Sequence, residues 1–593
     1  MSGLIKRVRW TIDYVNNFVA ASTFGRVFRL DGCGHEKSIR GAVFSTEIRA
    51  GITTFFTMAY IIATNANILS QSGGTCECTS QTDPICKTDP DYNFCLLGVR
   101  RDLITATATI AGLSSILFGF LTNLPCALAP GMGLNAYFTY QVVGFHGSGR
   151  IPYRLALTAV FIEGFIFIFL SLIGMRQWLV RLVPASLKVA ACSGIGLFLT
   201  LIGLSSTAGI GLISGSSTQP LDLAGCQPEY RDEFGVCTSH KLQNPTLWIG
   251  ILGGGILTAW LMMYRIKSAF IIGIVFVSIF SWPRGTSFTF FPDTREGNDN
   301  FAFFKQVAGF HPIEKILAVP DWDLSKAGSQ FALALFTFLY VDILDCTGTL
   351  FSMARFAGVV DPETGGFPRS TIAYCTDAIS ISIGALLGSS PVTVFVESGA
   401  GIAEGGRTGL TAITTGVCFL ISLFFAPIFA SIPPWATGCT LVLVGAMMAR
   451  SMTDINWAYL GDALPAFVTL IAMPFTFSIA YGLIAGLMTY ITLNSLAWTM
   501  KKITCGKIAP ADEDLHEYWT LTPRGSVPWF IRLAHGQSHF WKAETMPPGA
   551  VGQSDMTGKG SGPLPGESPE QLQQQHQYGA YGEKSPHEQA REL

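Results

Sequence analysis

The sequence predicts an all-α membrane protein of fourteen transmembrane segments, built as a 7+7 inverted repeat with short extended strands in segments 3 and 10. Three observations predict this fold: the composition, the apolar segments and an internal repeat. Of the 593 residues, 49% are hydrophobic and only 13% are charged, with a mean hydropathy of +0.40. Soluble domains are about one-quarter charged. The net charge of −2 gives no electrostatic support for a nucleic-acid partner.

Apolar stretches that can cross a hydrocarbon core of about 30 Å recur along the chain, and several of them are short. They cover residues 50–70, 103–122, 125–144, 154–174, 188–210, 246–264, 268–282, 327–350, 373–390, 391–406, 408–430, 433–450, 460–479 and 480–500. Proline, glycine and small residues interrupt the third and tenth stretches, 125–144 and 391–406. Neither of these two is therefore expected to form an unbroken lipid-facing helix.

The ends of the chain are expected in the cytosol. The first 49 residues are polar, carry eight Lys or Arg and show no signal peptide. An even number of segments returns the tail to the same side, and most basic residues in short loops agree, although Arg150 and Arg154 do not. The predicted regions are a cytosolic N-terminal segment (1–45), a first seven-segment repeat (46–282), an external loop (283–326), a second seven-segment repeat (327–500) and a cytosolic, largely disordered tail (501–593).

Six cysteines fall in two predicted external loops, where oxidation would form disulfides. They are Cys76, Cys78, Cys86 and Cys95 in one loop, and Cys226 and Cys237 in the other. The pairing within the first loop stays open. A metal site at Cys76 and Cys78 is the less favoured alternative.

The internal repeat links segment 1 to segment 8 and segment 3 to segment 10. A shift of 280 residues aligns "FTMAYIIATN" (56–65) with "FTFLYVDILD" (336–345), and a shift of 266 aligns "PCALAPGMG" (125–133) with "PVTVFVESG" (391–399). Because seven is odd, the second copy enters the membrane from the opposite side. A broken segment in each copy then brings extended chain and a half-helix to the middle of the bilayer, where a binding site can form.

Four polar side chains are predicted to share that site. Asp342 and Asp345 lie on one helical face, and the repeat places Glu397 and Asn135 beside them. Carboxylates accept N–H bonds from a planar heterocycle, while an amide both donates and accepts. The alternative for Asp345 is a structural polar contact, because its counterpart in the first repeat is Asn65. Charged groups at this depth are costly, which favours a functional reason for them.

Backbone N–H groups at Gly131, Gly133 and Gly399 are expected to meet a ring carbonyl or nitrogen of the same ligand. Crowded acids in a poorly hydrated pocket hold protons readily, so a proton is the expected coupling ion and no metal or other cofactor is implied. Asp345 and Glu397 are the candidates for this coupling. Glu163 is also a candidate for the pocket, although a packing contact is favoured.

Three other function classes are less favoured. An anion transporter of the related sulfate-transporter fold shares the inverted repeat, but several acids in the pocket oppose an anion. A channel needs a continuous pore lined by charges or carbonyls. An enzyme needs a nucleophile with a base, or a metal, and no spacing such as H-E-x-x-H is present.

Four blocks resemble the fungal AzgA-type purine permeases, relatives of the nucleobase–ascorbate transporters and of bacterial uracil permease. They are "GAVFSTEIRAGITTFFTMAYIIATNANIL" (41–69), "LPCALAPGMGLNAYFTYQVVG" (124–144), "LFTFLYVDILDCTGTLFSMARFAG" (335–358) and "VFVESGAGIAEGGRTGLTAI" (394–413). The Q/E-N-x-G signature of the nucleobase–ascorbate relatives is absent, since Glu397 is followed by Ser398, Gly399 and Ala400. Specificity for ascorbate, xanthine or uric acid is therefore not transferred.

The resemblance implies proton-coupled uptake of hypoxanthine, adenine and guanine across the plasma membrane, by a multi-pass protein with a mobile core domain and a gate domain, often as a homodimer. It implies that Asn135, Asp342 and Glu397 bind the substrate and that Asp345 is needed for transport. Residue chemistry alone predicts only a proton-coupled carrier of a small, planar, hydrogen-bonding solute.

Overall fold

The computed structural model describes residues 2–515 with gaps at 37, 79–85, 87–88, 150, 176–182, 206–208, 216–220, 232–235, 267, 324–327, 360–366, 505–509, 511 and 513–514. The predicted disordered tail lies almost entirely outside the described residues, which end at 515.

The described residues are mostly helical. The α-helices are α1 (Ser2–Ala21), α2 (Thr23–Phe28), α3 (Phe44–Met58), α4 (Tyr60–Ser70), α5 (Pro90–Thr122), α6 (Met132–Tyr137), α7 (Tyr153–Ile173), α8 (Ala185–Leu204), α9 (Pro245–Ile249), α10 (Leu257–Met263), α11 (Ala269–Ser281), α12 (Arg295–Phe304), α13 (Ser329–Phe356), α14 (Ser370–Leu386), α15 (Ser398–Ala403), α16 (Gly409–Ser422), α17 (Ala426–Ala430), α18 (Pro434–Ala449), α19 (Leu460–Thr476) and α20 (Ile479–Ile503). The strands are β1 (Leu128–Pro130), β2 (Ile213–Ser214), β3 (Asp222–Leu223) and β4 (Val392–Val394).

π-Helical turns occur at two places among the described residues. A π-helical turn, Phe138–Val143, continues α6, and another, Gly250–Ile256, joins α9 to α10. Every apolar stretch predicted from the sequence contains helix. The third and tenth stretches each contain a short strand followed by a short helix.

Seven helical stretches of the described residues are long and apolar enough to cross a membrane. They are Phe44–Ser70, Pro90–Thr122, Tyr153–Ile173, Ser186–Leu204, Pro245–Met263, Ser329–Ala354 and Ile479–Ile503. The other apolar helices are shorter. The count of fourteen crossings and their grouping into repeats therefore stay predictions.

Helix α5 has a capping residue at each end that is typical for its position. The side chain of Asp89 accepts the N–H of Asp91 at 3.0 Å, and Pro90 occupies the first turn, where its missing N–H costs nothing. At the other end Asn123 adopts the left-handed conformation with φ 58°, and its side-chain oxygen accepts the N–H of Gly409 at 2.9 Å. The end of α5 is thereby bonded to the start of α16.

Four helix pairs make the most extensive contacts among the described residues: α5 with α16, α14 with α7, α8 with α18, and α19 with α20. At two of these crossings a glycine meets a glycine, since Gly112 faces the backbone of Gly416 and Gly196 faces that of Gly445. Small residues let helix backbones approach closely where lipid offers no hydrophobic gain. The packed helices surround β1 and β4, and fully buried phenylalanines fill the space between them.

The expected disulfides are confirmed. Cysteines pair as Cys76–Cys95, Cys78–Cys86 and Cys226–Cys237. The two bonds of the first loop settle the pairing that sequence reasoning left open. They also use the cysteines that a metal site at Cys76 and Cys78 would need.

Candidate functional site

Strands β1 and β4 bring the two broken segments together. The antiparallel register pairs Leu128 with Val394, Ala129 with Thr393 and Pro130 with Val392. All six residues are buried. The two strands lie more than 260 residues apart in the chain, so their pairing joins the first half of the protein to the second.

Asn135 lies in α6, directly after β1, and is fully buried. Its side-chain oxygen accepts a hydrogen bond from the Ser390 hydroxyl, which precedes β4. Its Nδ2 atom has no hydrogen-bond partner among the described residues. An unpaired buried amide donor is costly, so this group has a donor to offer a ligand.

Glu397 stands at the start of α15, after β4, and is half-buried. The hydroxyl of Tyr60, at the start of α4, donates a hydrogen bond of 2.7 Å to its Oε1 atom. This bond orients the carboxyl group and leaves further lone pairs free to accept. Glu397 is therefore an acceptor held in place by the first half of the chain.

Asp342 is fully buried in α13 and has two acidic neighbours. One is Glu163, which the sequence left as a less favoured candidate for the pocket, and the other is Asp377, which sequence reasoning did not name. Asp342 lies close enough to Glu163 in α7 and Asp377 in α14 to interact electrostatically with both. Both acids are also fully buried, and they interact with each other. The carboxyl oxygens of Asp342 and Glu163 have no hydrogen-bond partner among the described residues.

Close packing of α7 on α14 brings these acids together. The Ser382 hydroxyl of α14 donates to the carbonyl of Phe161 at 3.1 Å, and Gly164 lies against the backbone of Ala378. Asp377 occupies a predicted apolar segment, and an acid in such a segment is a functional candidate by default. That signal was present in the sequence and was missed.

Asp345 lies one turn beyond Asp342 and is half-buried. It interacts electrostatically with Asp342 and with Glu397, and the Thr349 hydroxyl approaches its Oδ1 atom at 3.4 Å. Asp345 also interacts electrostatically with Cys192 in α8. It is therefore within electrostatic reach of Asp342, of Glu397 and of helix α8.

The predicted backbone donors are only partly available. The N–H of Gly131 donates to the carbonyl of Pro391 at 2.9 Å, and that of Gly399 donates to the carbonyl of Val396 at 3.0 Å. Strand pairing thus uses the N–H of Gly131, and a tight turn uses that of Gly399. The prediction that these two N–H groups are free to bind a ligand was wrong. The N–H of Gly133 has no acceptor among the described residues.

The predicted ligands form two separate sets in the structure. Asp342, Asp345 and Glu397 follow one another by electrostatic contact, while Asn135 is bonded to Ser390. No hydrogen bond within the described part of the chain connects Asn135 to Asp342. A cavity of about 330 Å³ lies elsewhere, and its lining, which includes Ile151, Leu155, Asp321, Gln330 and Phe331, contains none of these ligands.

Comparison with known proteins identifies a protein family. A family model named Xan_ur_permease, described as "Permease family", matches residues 96–484. The chain belongs to this family. The resemblance seen in the sequence is thereby confirmed, and the protein is a multi-pass membrane permease of the nucleobase type. The family and its members compared below are permeases or pumps, not enzymes.

Three relatives are similar over most of the permease. "Efflux pump notK'" of Aspergillus versicolor is 57% identical, covering 90% of this chain and 93% of its own. "Putative xanthine/uracil permease C887.17" of Schizosaccharomyces pombe is 54% identical, covering 91% and 86%. "Adenine permease AdeQ" of Escherichia coli is 34% identical, covering 81% and 91%.

Guanine/hypoxanthine permeases of Bacillus subtilis also match the permease, PbuO at 32% identity over 75% of this chain and 90% of its own. Among solved structures, the transmembrane domain of the cyanobacterium bicarbonate transporter BicA has a TM-score of 0.48 and 14% identity, covering 76% of this chain and 98% of that one. A likeness at that level decides neither fold nor substrate.

Proposed function

We propose that this permease carries the purine nucleobases adenine, guanine and hypoxanthine into the cell across the plasma membrane together with protons. One observation carries the proposal: a run of buried or half-buried acids inside a member of a nucleobase permease family. The run consists of Glu163, Asp377, Asp342, Asp345 and Glu397, each within electrostatic reach of the next or of Asp342. The names of the relatives supply the substrate class.

The polar groups match the edge of a purine. A purine ring presents hydrogen-bond donors and acceptors side by side and carries no net charge. The unpaired Nδ2 of Asn135 and the N–H of Gly133 are donors, while Glu397 and Asp342 are acceptors. A neutral ring needs no arginine clamp. An anion, by contrast, would be repelled by the same acids, which argues against an anion transporter.

The acids also offer a place for the coupling proton. Asp342 and Glu163 are buried carboxyls without a hydrogen-bond partner among the described residues, and their charged forms are costly. A proton shared between them, with Asp377 in electrostatic reach of both, would lower that cost. Asp345 lies between this group and Glu397, so a change of its protonation would be felt at the substrate ligand. In this proposal the proton and the base occupy neighbouring places.

The proposed architecture is a 7+7 inverted repeat whose core domain moves past a gate domain, in an elevator-like form of alternating access. The register of the strands supports it, because Leu128 pairs with Val394, the residue 266 positions later that the sequence repeat assigns as its counterpart. On either side, Ala129 pairs with Thr393 and the Phe395 N–H donates to Ala127 at 3.1 Å. This symmetry is expected of two oppositely oriented copies.

Helix packing gives the same support. The contact of α5 with α16 joins segments 2 and 11, and that of α7 with α14 joins segments 4 and 9. Exchange of the two repeats converts one pair into the other. The contact of α8 with α18 joins segments 5 and 12, which are counterparts. A homodimer, expected from the resemblance, would add a further interface.

Uptake of radiolabelled adenine tests the function in cells that lack their own purine permeases, with and without a proton uncoupler. We expect saturable uptake that collapses with the gradient. Asp342→Asn should abolish both uptake and adenine binding, whereas Glu163→Gln should keep binding and lose accumulation against a gradient. Equal amounts of each variant at the cell surface serve as the control.

Other outcomes would redirect the proposal. Faster loss of preloaded adenine from cells with the permease would favour export, which the efflux pump from Aspergillus versicolor suggests as the alternative direction. Unchanged accumulation in the presence of the uncoupler would remove the proton. Normal uptake by Asp342→Asn would remove Asp342 from the ligands.

A further inference from the structure

The N-terminal helix α1 has an aromatic face that no other described part of the chain covers. Trp10, Tyr14 and Phe18 follow one another at intervals of four residues, which places them on one side of the helix. Their exposed fractions are 69%, 61% and 70%. The rest of α1 is too polar to span a bilayer, since it carries Lys6, Arg7, Arg9 and Asp13 within 20 residues.

The opposite side of α1 is fixed to the membrane-spanning part. The Asn16 side chain donates to the Ser45 hydroxyl at 3.0 Å, and its oxygen accepts the Ser45 N–H at 3.0 Å. Ser45 is the second residue of α3, where the long apolar stretch Phe44–Ser70 begins. Val19 packs on a small core that contains Phe28 and Leu410. The helix is therefore held level with the end of a membrane span.

We propose that α1 lies flat on the bilayer surface and binds anionic phospholipid. Its aromatic face would enter the boundary between headgroups and acyl chains, where tryptophan and tyrosine are favoured. Three basic residues and a single acidic one, Asp13, make the helix cationic and complementary to a phosphate-rich surface. This inference rests only on the first apolar stretch crossing the membrane and not on the proposed substrate or coupling ion.

The charge and position of α1 favour lipid over other occupants. A second copy of the chain would bring two cationic helices together, which is unfavourable at low salt. A protein partner would need an acidic groove at the level of the membrane surface. If the stretch Phe44–Ser70 crosses the bilayer, Ser45 holds the helix at the level of the headgroups, and anionic headgroups carry the required charge.

Hydrogen exchange of the full-length permease in nanodiscs tests the proposal. We expect the amides of residues 8–20 to exchange roughly tenfold more slowly in discs of phosphatidylcholine with phosphatidylserine than in discs of phosphatidylcholine alone. The variant Trp10→Ser/Tyr14→Ser/Phe18→Ser should lose protection in both discs. The variant Lys6→Gln/Arg7→Gln/Arg9→Gln should lose only the difference between them. Asn17→Ser, which changes an exposed polar residue next to the aromatic face, is the matched control.

Three results would overturn the proposal. The first is equal exchange in both kinds of disc. The second is protection that depends on two permeases per disc and not on lipid composition, which would indicate a contact between copies. The third is protection that appears only after a soluble protein is added. Unchanged exchange of α5 in every variant would establish that each variant is folded, so that a loss of protection reports on α1 itself.

Discussion

The two broken segments, 128–143 and 392–403, begin alike and then differ in chemistry. Each has a buried three-residue strand followed by a short helix. After β1 the N–H groups of Met132, Gly133 and Leu134 have no acceptor among the described residues, and Asn135 adds an unpaired amide. After β4 the corresponding turn uses its N–H groups internally and presents the acid Glu397 instead.

In the proposed inverted repeat, this difference gives the two broken segments complementary roles. The first-half segment supplies donors, and the second-half segment supplies an acceptor. A ligand with donors and acceptors on neighbouring edges, such as a purine, satisfies both at once. Cross-bonds keep the two halves in register, since the Ala127 N–H donates to the Ser398 hydroxyl at 3.0 Å and Ser390 donates to Asn135. The segments would therefore move as one unit.

Asn135→Asp should lower uptake more than any other variant of the two broken segments. The shape is kept and Ser390 can still donate, but the free donor becomes a second acceptor in a fully buried place. Loss of the donor together with burial of an acid predicts adenine uptake about 100-fold lower. Radiolabelled uptake corrected for surface protein measures it. Ser390→Ala, which removes only the partner, should have a smaller effect, and equal losses would mean that Asn135 is merely structural.

Glu397→Gln should have the next largest effect. The amide oxygen can still accept the hydrogen bond from Tyr60. The negative charge is lost, however, and one acceptor oxygen is replaced by an NH₂ donor. We expect uptake about tenfold lower and a flatter dependence of uptake on external pH between pH 5 and 8. Tyr60→Phe removes the 2.7 Å bond and keeps the acid, so it should weaken uptake while preserving the pH profile. A flattened profile in Tyr60→Phe would instead assign Glu397 to anchoring.

Sequence reasoning reached the helices and the broken segments because both leave local signals. Hydrophobic runs mark the helices, and proline with glycine marks the breaks at Pro125 and Pro391. The burial of Asp342 followed from its apolar neighbours. What the sequence could not give was the partner of each group. Glu163 and Asp377 are more than 200 residues apart, and periodicity does not reveal which helices pack together.

The error over the backbone donors has the same cause. Glycine suggests a free N–H, but the acceptor of Gly131 is Pro391 in the other broken segment. Only the antiparallel pairing of β1 with β4 brings the two within 2.9 Å. The N–H of Gly399, in contrast, bonds within a local turn. The sequence "ESGAG" (397–401) is compatible with such a turn.

Gly133→Ala should lower uptake less than Asn135→Asp or Glu397→Gln, and it tests directly whether the two broken segments differ in packing. A Cβ at Gly133 would lie 2.6 Å from Cγ2 of Ile195 in α8, whereas at Gly399 the nearest atom, Sδ of Met353, would lie 3.7 Å away. Overpacking of this kind typically costs about 1 to 3 kcal/mol. We expect a lower Tm and slower uptake for Gly133→Ala, but nearly normal values for Gly399→Ala.

The double variant Gly133→Ala/Ile195→Ala tests whether crowding against Ile195 causes these losses. Removal of Cγ2 should restore most of the uptake rate if Gly133 is there to let the first-half segment pass α8 during transport. A rescue of Tm without a rescue of uptake would mean that the added methyl group itself obstructs the substrate, since alanine keeps the N–H of residue 133. Equal sensitivity of Gly133 and Gly399 would contradict the asymmetry between the two segments, because only one of them has a neighbour within clashing distance.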